Sequence, residues 1–203
     1  FLHNFAPSGS EFNNLFLGLE AGNFTMGGGA ISYQSSYNVG IGSNSLSSLT
    51  TGYSNTAVGS KSLFFNTIGS DNAALGYCPL FKNVGGNYNT AVGNYALYEN
   101  IGGNENTAMG YKALFQNSSG YSNTAVGWSS LNSNVDGYRN TAVGHASMQQ
   151  NSSGFYNTAV GELALSSNTI GNGNCAIGTF ALSSATNSLN TALGFNAGVN
   201  VSS

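Results

Sequence analysis

Residues 123–139, NTAVGWSSLNSNVDGYR, are followed at once by residues 140–156, NTAVGHASMQQNSSGFY, and the second stretch restarts the first after 17 residues. The opening asparagine recurs at Asn38, Asn55, Asn72, Asn89, Asn106, Asn123, Asn140, Asn157, Asn174 and Asn190, in steps of 17 except the last, which is 16. Numbered from that asparagine, position 5 is glycine in every copy from Gly42 to Gly194, and the unit reads N-T-A-V-G-x-x-A-L-x-x-N-x-x-G-x-x. Residues 14–30 form one more, degenerate copy, set off from the array by the insertion ISYQSSY; a copy truncated after NTALGFNAG closes the chain.

A unit this short cannot hold a helix pair. Its two apolar runs, at positions 2–4 and 8–9, are bounded by Gly and Asn, the punctuation of strands and turns. Stacking one unit per coil predicts an all-β fold, a parallel β-solenoid or β-roll. Gly and Asn recur on this reading because the same tight turn recurs: Gly supplies positive φ without steric cost and Asn tolerates it. Stacked asparagines can also bond to one another along the axis as a ladder. The expected organisation is a cap or junction over residues 1–37, containing the degenerate copy, and a solenoid over residues 38–203. Nine unit steps at ~4.8 Å give an array about 43 Å long.

Charge placement supports this picture independently. Within the array charges sit at Lys61, Asp71, Lys82, Glu99, Glu105, Lys112, Asp136, Arg139 and Glu162, which are positions 6, 7, 11, 14 and 17 only. In the strand T-A-V successive side chains must point to opposite faces. Position 3 is a column of alanines from Ala57 to Ala192, and position 4 a column of aliphatic residues that includes Val58, Val92, Val126, Val143 and Val160. One face looks into the coil. The other needs a cover, because an exposed stripe of ten aliphatic side chains exceeds what a soluble monomer normally tolerates. The expectation is self-association through position 4, with Leu63, Leu97, Leu114 and Leu165 of position 9 joining it.

Composition removes several partners. Charged residues make up 5% of the 203 residues and the formal net charge is −3, against ~25% charged in ordinary soluble domains. There is no basic footprint for nucleic acid and no polybasic patch for an anionic membrane. No apolar run reaches the ~18 residues of a membrane-spanning helix, so no membrane insertion is expected, and FLHNFAPSGSEF lacks the pattern of a signal peptide. A start at Phe1 suggests a processed protein or a fragment.

The NTAVG…AL units resemble the repeats of trimeric autotransporter adhesin heads, with their SVAIG-type coils. They are still more similar to the NTAIGYQAL repeats of phage tail-fibre proteins and related bacterial surface proteins. The resemblance covers about residues 38–198. It implies a left-handed parallel β-roll, a homotrimer wound about one axis, and an extracellular fibre on a virion or cell surface that spaces or attaches, with a glycan or protein receptor on the host. The unit here is 17 residues, longer than that of the adhesin heads.

Enzyme chemistry finds little support. The only histidines are His3 and His145, no His/Cys/Asp cluster has metal-ligand spacing, and no phosphate-binding loop of the G-x-x-x-x-G-K type occurs. His145 occupies the variable position 6, where a solvent-facing role is the plainer reading. No cleft is evident between the carboxylates of Glu99 and Glu105 for glycoside hydrolysis. No cofactor is called for. Cys78 and Cys175 lie six coils apart, about 29 Å along the axis against the ~7 Å a disulfide allows; Cys175 reads as a small buried residue. The sequons at Asn23, Asn117, Asn151 and Asn200 would matter only in a eukaryotic secretory setting.

Aromatic residues offer the best binding candidates. Phe64, Phe81, Tyr98 and Phe115 fall at position 10 in four successive coils, Tyr121, Tyr138 and Phe155 at position 16 in three, and Tyr77, Tyr111 and Trp128 at position 6. Exposed rings could form a platform for sugars or another protein; the plainer reading is structural mortar. The functional expectation is a non-enzymatic structural fibre or adhesin segment. The alternative is a single-chain ice-binding or glycan-binding solenoid, since Thr56, Thr90, Thr107, Thr124, Thr141, Thr158 and Thr191 form a regular column at position 2.

Overall fold

The computed structural model describes residues 2–3, 13–23 and 35–199. Its elements are strands only: β1 (Leu2–His3), β2 (Leu15–Leu17), β3 (Val39–Ile41), β4 (Thr56–Val58), β5 (Ala73–Leu75), β6 (Thr90–Val92), β7 (Thr107–Met109), β8 (Thr124–Val126), β9 (Thr141–Val143), β10 (Thr158–Val160), β11 (Cys175–Ile177) and β12 (Thr191–Leu193). They form one sheet whose spatial order equals chain order. From β2 onward every neighbouring pair is parallel and in register unit on unit, so Thr124 faces Thr141, Ala125 faces Ala142 and Val126 faces Val143. The chain is therefore a parallel β-solenoid with one coil per 17-residue unit, and no helix occurs among the described residues. The register survives both irregularities: β2 of the degenerate copy pairs with β3 across the insertion, and β11 pairs with β12 across the 16-residue step. Of the insertion, Ile31 to Gln34 lie outside the described residues, as do Asn200 and its sequon. β1 runs antiparallel along β2 and closes that edge of the sheet.

Only positions 2–4 are strand. The second apolar run, at positions 8–9, lies in a turn segment. Two turn bonds shape it in the coil that starts at Asn106: Ala113 N–H donates to Gly110 C=O and Asn117 N–H to Leu114 C=O. The interior holds the position-3 alanines and a column of position-9 residues, Leu46, Leu63, Leu80, Leu97, Leu114, Leu131, Met148, Leu165 and Leu182, each 0–1% exposed. Burying each such side chain contributes ~1.5–3 kcal/mol before entropy is subtracted. The position-9 leucines thus serve their own coil's core and are not available to a partner chain, contrary to the expectation.

Two asparagine ladders flank this column. In the first, the Asn106 side-chain amide donates to Asn89 Oδ1 (3.1 Å) and to the Gly120 carbonyl (2.8 Å), while Asn106 Oδ1 accepts from the backbone N–H (3.0 Å) and side-chain amide (3.1 Å) of Asn123. This pattern runs from Asn14 to Asn190. The second ladder, at position 12, runs from Asn66 to Asn168; there Asn117 donates to Asn100 Oδ1 (2.8 Å) and again to the Gly120 carbonyl (2.9 Å). One glycine carbonyl per coil thus ties both ladders together. A Cβ at Gly120 would lie 2.3 Å from Asn117 Oδ1 and 2.4 Å from the Gly137 carbonyl, which explains why position 15 is glycine.

The ladder asparagines are hydrogen-bonded, and buried in most coils, rather than left-handed. Positive φ falls elsewhere, at position 5 as foreseen (Gly127, 133°), but also at positions 7, 9 and 17, which are Lys112 (54°), Leu114 (50°) and Ser122 (53°) in one coil. Such a conformation costs an ordinary residue roughly 1–2 kcal/mol. It is compensated between coils: Lys112 and Ser122 N–H groups donate back to Asn94 and Asn104 carbonyls, while Leu114 N–H donates forward to Ser130.

The two ends of the core differ. Phe16 fills the alanine position of the first coil, 2% exposed, and a Cβ on Gly22 or Gly40 would strike its ring at 2.5 and 2.8 Å. At the far end the position-12 ladder stops because Ala185 follows Asn168, and the buried Asn168 Oδ1 has no hydrogen-bond partner. The turn bond before it is kept, with Ala185 N–H donating to Leu182 C=O as Asn168 N–H does to Leu165 C=O, although this coil is one residue shorter and Asn174 bonds the Asn187 carbonyl. Ala185→Asn should therefore extend the ladder by one rung. The expected gain is about 1 kcal/mol, or a few degrees in Tm, read by thermal unfolding; a lowered Tm would contradict the ladder geometry.

Candidate functional site

Two outward columns define the strand face. Position 2 carries the threonines, and position 4 the aliphatic residues, of which Val58, Val92, Val126 and Val143 are half-buried by their neighbours in the ladder and Val160 is 37% exposed. Leu75, Met109 and Ile177 in the same column are exposed as well. The array carries no charge at positions 1–5, 8, 9, 12 and 15. Positions 1, 3, 9, 12 and 15 are interior by burial across most coils, so charge avoidance there needs no further explanation. Positions 2 and 4 face outward and avoid charge all the same. Cys175 takes the position-2 slot in β11 and is half-buried on this outer face, not in the core as its sequence suggested; both cysteines are free.

The aromatic columns stack along the axis, but their geometry limits what they offer. At position 16, Tyr121 stacks on Tyr138 and Tyr138 on Phe155, both at 4.8 Å between centroids and within 5° of parallel. At position 10, Phe64, Phe81, Tyr98 and Phe115 stack at 5.0–5.2 Å. At position 6, Tyr111, Trp128 and His145 stack at 6.1 and 4.9 Å. Tyr77 is joined to this group through Tyr95, which meets Tyr77 and Tyr111 edge-on. A ring inside such a stack spends both faces on its neighbours and shows solvent only its rim. A sugar stacks on a face, so Trp128 and Tyr138 are poor sugar platforms, and only rings at the ends of stacks retain an open face.

One stack end opens into a cleft. Position 10 reads Asn23, Ser47, Phe64, Phe81, Tyr98, Phe115 along the coils, so the ring column begins at Phe64. A cleft of about 480 Å³ lies beside it, lined by Glu20, Asn23, Asn44, Ser47 and Phe64 among others. Reading the column beyond its aromatic members, to the small polar residues in the two earlier coils, is the sequence signal that finds this cleft.

Charged groups lie on the rim positions. Lys82 and Glu99, at position 11 of adjoining coils, pair at 2.9 Å, and this bond raises the Lys82 ammonium. His145 Nδ1 is 3.8 Å from Glu162. The Arg139 guanidinium donates to the Tyr156 hydroxyl, which raises Arg139 further. Burial raises the Cys78 thiol, partly opposed by its bond to the Tyr77 hydroxyl and by Lys61. Among the described residues no three His, Cys, Asp or Glu side chains are grouped as metal ligands would be.

Neither the family profiles nor the curated proteins nor the solved structures searched contain a match to this chain.

If the stacks are mortar, the member with two covered faces matters most. Tyr138→Ser should cost more than Tyr121→Ser, by about 0.5–1.5 kcal/mol for the additional ring pair, measured by urea unfolding of both variants. Equal costs would mean that the stacked rings contribute area alone.

Proposed function

We propose that this chain is a shaft or adhesin segment of an extracellular fibre, on a virion or cell surface, that works as a homotrimer and spaces or attaches to a host surface. The observation that carries the reading is the outward strand face: positions 2 and 4 lie outside their own coil, form unbroken columns over successive coils, and carry no charge. A column of aliphatic side chains that is kept free of charge along the whole stack is what a chain-to-chain seam requires, and burying each Val or Leu there adds ~1.5–3 kcal/mol per chain before entropy. The coils contribute length, about 4.8 Å each, and the similarity of the units to tail-fibre and adhesin repeats points the same way.

The threonine column gives a second reading its one support. A flat, charge-free face with regularly spaced hydroxyls on a single chain is also a surface on which ice-like water could order. The two readings compete for the same face and are separated by its occupancy: a trimer seam is buried, an ice-binding face is free.

Sedimentation equilibrium of the wild-type chain should give three times the chain mass. Val126→Asp would place three carboxylates around one seam without partners, so the variant should fail to assemble or lose heat resistance sharply, whereas Arg139→Ala, on the rim, should assemble normally. A stable wild-type monomer, or Val126→Asp trimers as heat-resistant as wild type, would overturn the trimeric fibre; a monomer that shows thermal hysteresis would install the ice-binding reading in its place.

A further inference from the structure

The cleft beside Phe64 lies at the N-terminal end of the four-ring column at position 10, where the two earlier coils carry Ser47 and Asn23 instead of rings. Phe81 covers one face of Phe64 at 5.2 Å. Phe65 does not cover the other: it lies 4.7 Å from Phe64 and 5.2 Å from Phe81, nearly equidistant and edge-on to both, so it flanks the pair from the side. The coil preceding Phe64 carries Ser47 at the same position, and the one before carries Asn23. Among the described residues no ring covers the outer face of Phe64, which borders the cleft. At the opposite end of the column Phe115 is followed by Asn132, whose amide donates to the Lys112 carbonyl, and the Lys112 ammonium sits 5.2 Å from the Phe115 centroid.

The walls supply polar groups of one kind. The side-chain amide of Asn44 donates to the Glu20 carboxylate, and that of Asn23 to the Leu49 carbonyl, which fixes both side chains. The carboxylate keeps further acceptor sites for hydroxyl donors. The Ser47 hydroxyl is buried at the cleft wall with no hydrogen-bond partner. The lining includes a carboxylate and no Lys, Arg or His.

We infer that this cleft is a carbohydrate subsite that takes one or two neutral pyranose rings. The first ring lies on the open face of Phe64, in the slot where the column would otherwise place the next aromatic ring, with its hydroxyls on Glu20 and the Asn44 amide. The volume falls within the range of small-ligand pockets. C–H groups of a pyranose face meet the negative face of the ring, which is favourable for the same electrostatic reason as edge-to-face aromatic contact. The carboxylate excludes acidic sugars. The site goes beyond the self-association proposed above and does not depend on it, because every lining residue comes from one chain.

Saturation-transfer difference NMR on the full chain tests this, with irradiation of the phenylalanine ring protons and two probes, cellobiose and N,N′-diacetylchitobiose, and N-acetylneuraminic acid as the acidic control. At least one disaccharide should receive saturation at its ring C–H protons, and the acidic sugar none. Phe64→Ala should weaken binding by roughly tenfold or more, the loss of one aromatic contact. Ser47→Phe should do the same while keeping or raising Tm, since it fills the slot and lengthens the column. Trp128→Ala, on the other stack, should bind as wild type. Absence of transfer to both disaccharides, or undiminished binding by a folded Ser47→Phe chain, overturns the subsite. Sedimentation of the same samples reports self-association separately, so failure of one reading is distinguishable from failure of the other.

Discussion

The glycine carbonyl at position 15 that accepts from two asparagine amides at once is the constraint from which the rest of the structure follows. A thin coil with a core of one leucine column and two columns of small residues, at positions 3 and 8, leaves many backbone groups close to apolar surroundings, and each needs a partner. The position-1 asparagine satisfies the backbone N–H of its successor in the next coil, and the position-12 asparagine braces the opposite corner. Both reach the same carbonyl. That shared acceptor ties the two corners together, and it admits no side chain at position 15. A neutral amide is the only side chain that donates twice and accepts twice in this geometry; an aspartate in its place would have acceptors and no donors.

With the corners fixed, the outer surface is what remains free to vary, and it divides by position. Charges and histidine occupy positions 6, 7, 11, 14 and 17. Aromatic rings at positions 6, 10 and 16 stack along the axis at 4.8–6.1 Å, close to the separation of adjacent strands. A side chain repeated at one coil per step is held at stacking distance by the backbone itself, so the columns need no further design. The same regularity makes interruptions informative. Where Ser47 and Asn23 stand in the ring column, Phe64 ends the stack beside a cleft lined with polar groups. Where Ala185 replaces asparagine, a buried acceptor is left alone.

Much of this was legible in the sequence. The 17-residue period, the glycine at position 5, the inward alanines of T-A-V and the charge-free outer strand face all follow from spacing and alternation. The possibility of an asparagine ladder was legible too, though its pairing with a second ladder was not, because nothing in a single unit tells that Asn106 and Asn117 meet at Gly120. The backbone conformation of the second apolar run was not legible, for a physical reason. A-L at positions 8–9 is apolar because it is interior, yet Leu114 and its counterparts adopt left-handed backbone angles that leucine avoids in isolation. Hydrogen bonds from the neighbouring coils override that preference, and no local propensity records them. For the same reason the position-9 leucines looked available to a partner when they are wholly enclosed by their own chain.

The claim that paired amide ladders hold the coils together is tested most directly by hydrogen exchange of the asparagine side-chain amides, resolved by NMR on uniformly labelled protein. The account predicts a protected set made of the position-1 and position-12 residues, Asn72 to Asn157 and Asn83 to Asn151, exchanging only with opening of the stack, while the exposed Asn94 exchanges freely. Ladder amides that exchange as fast as those of Asn94 would contradict it.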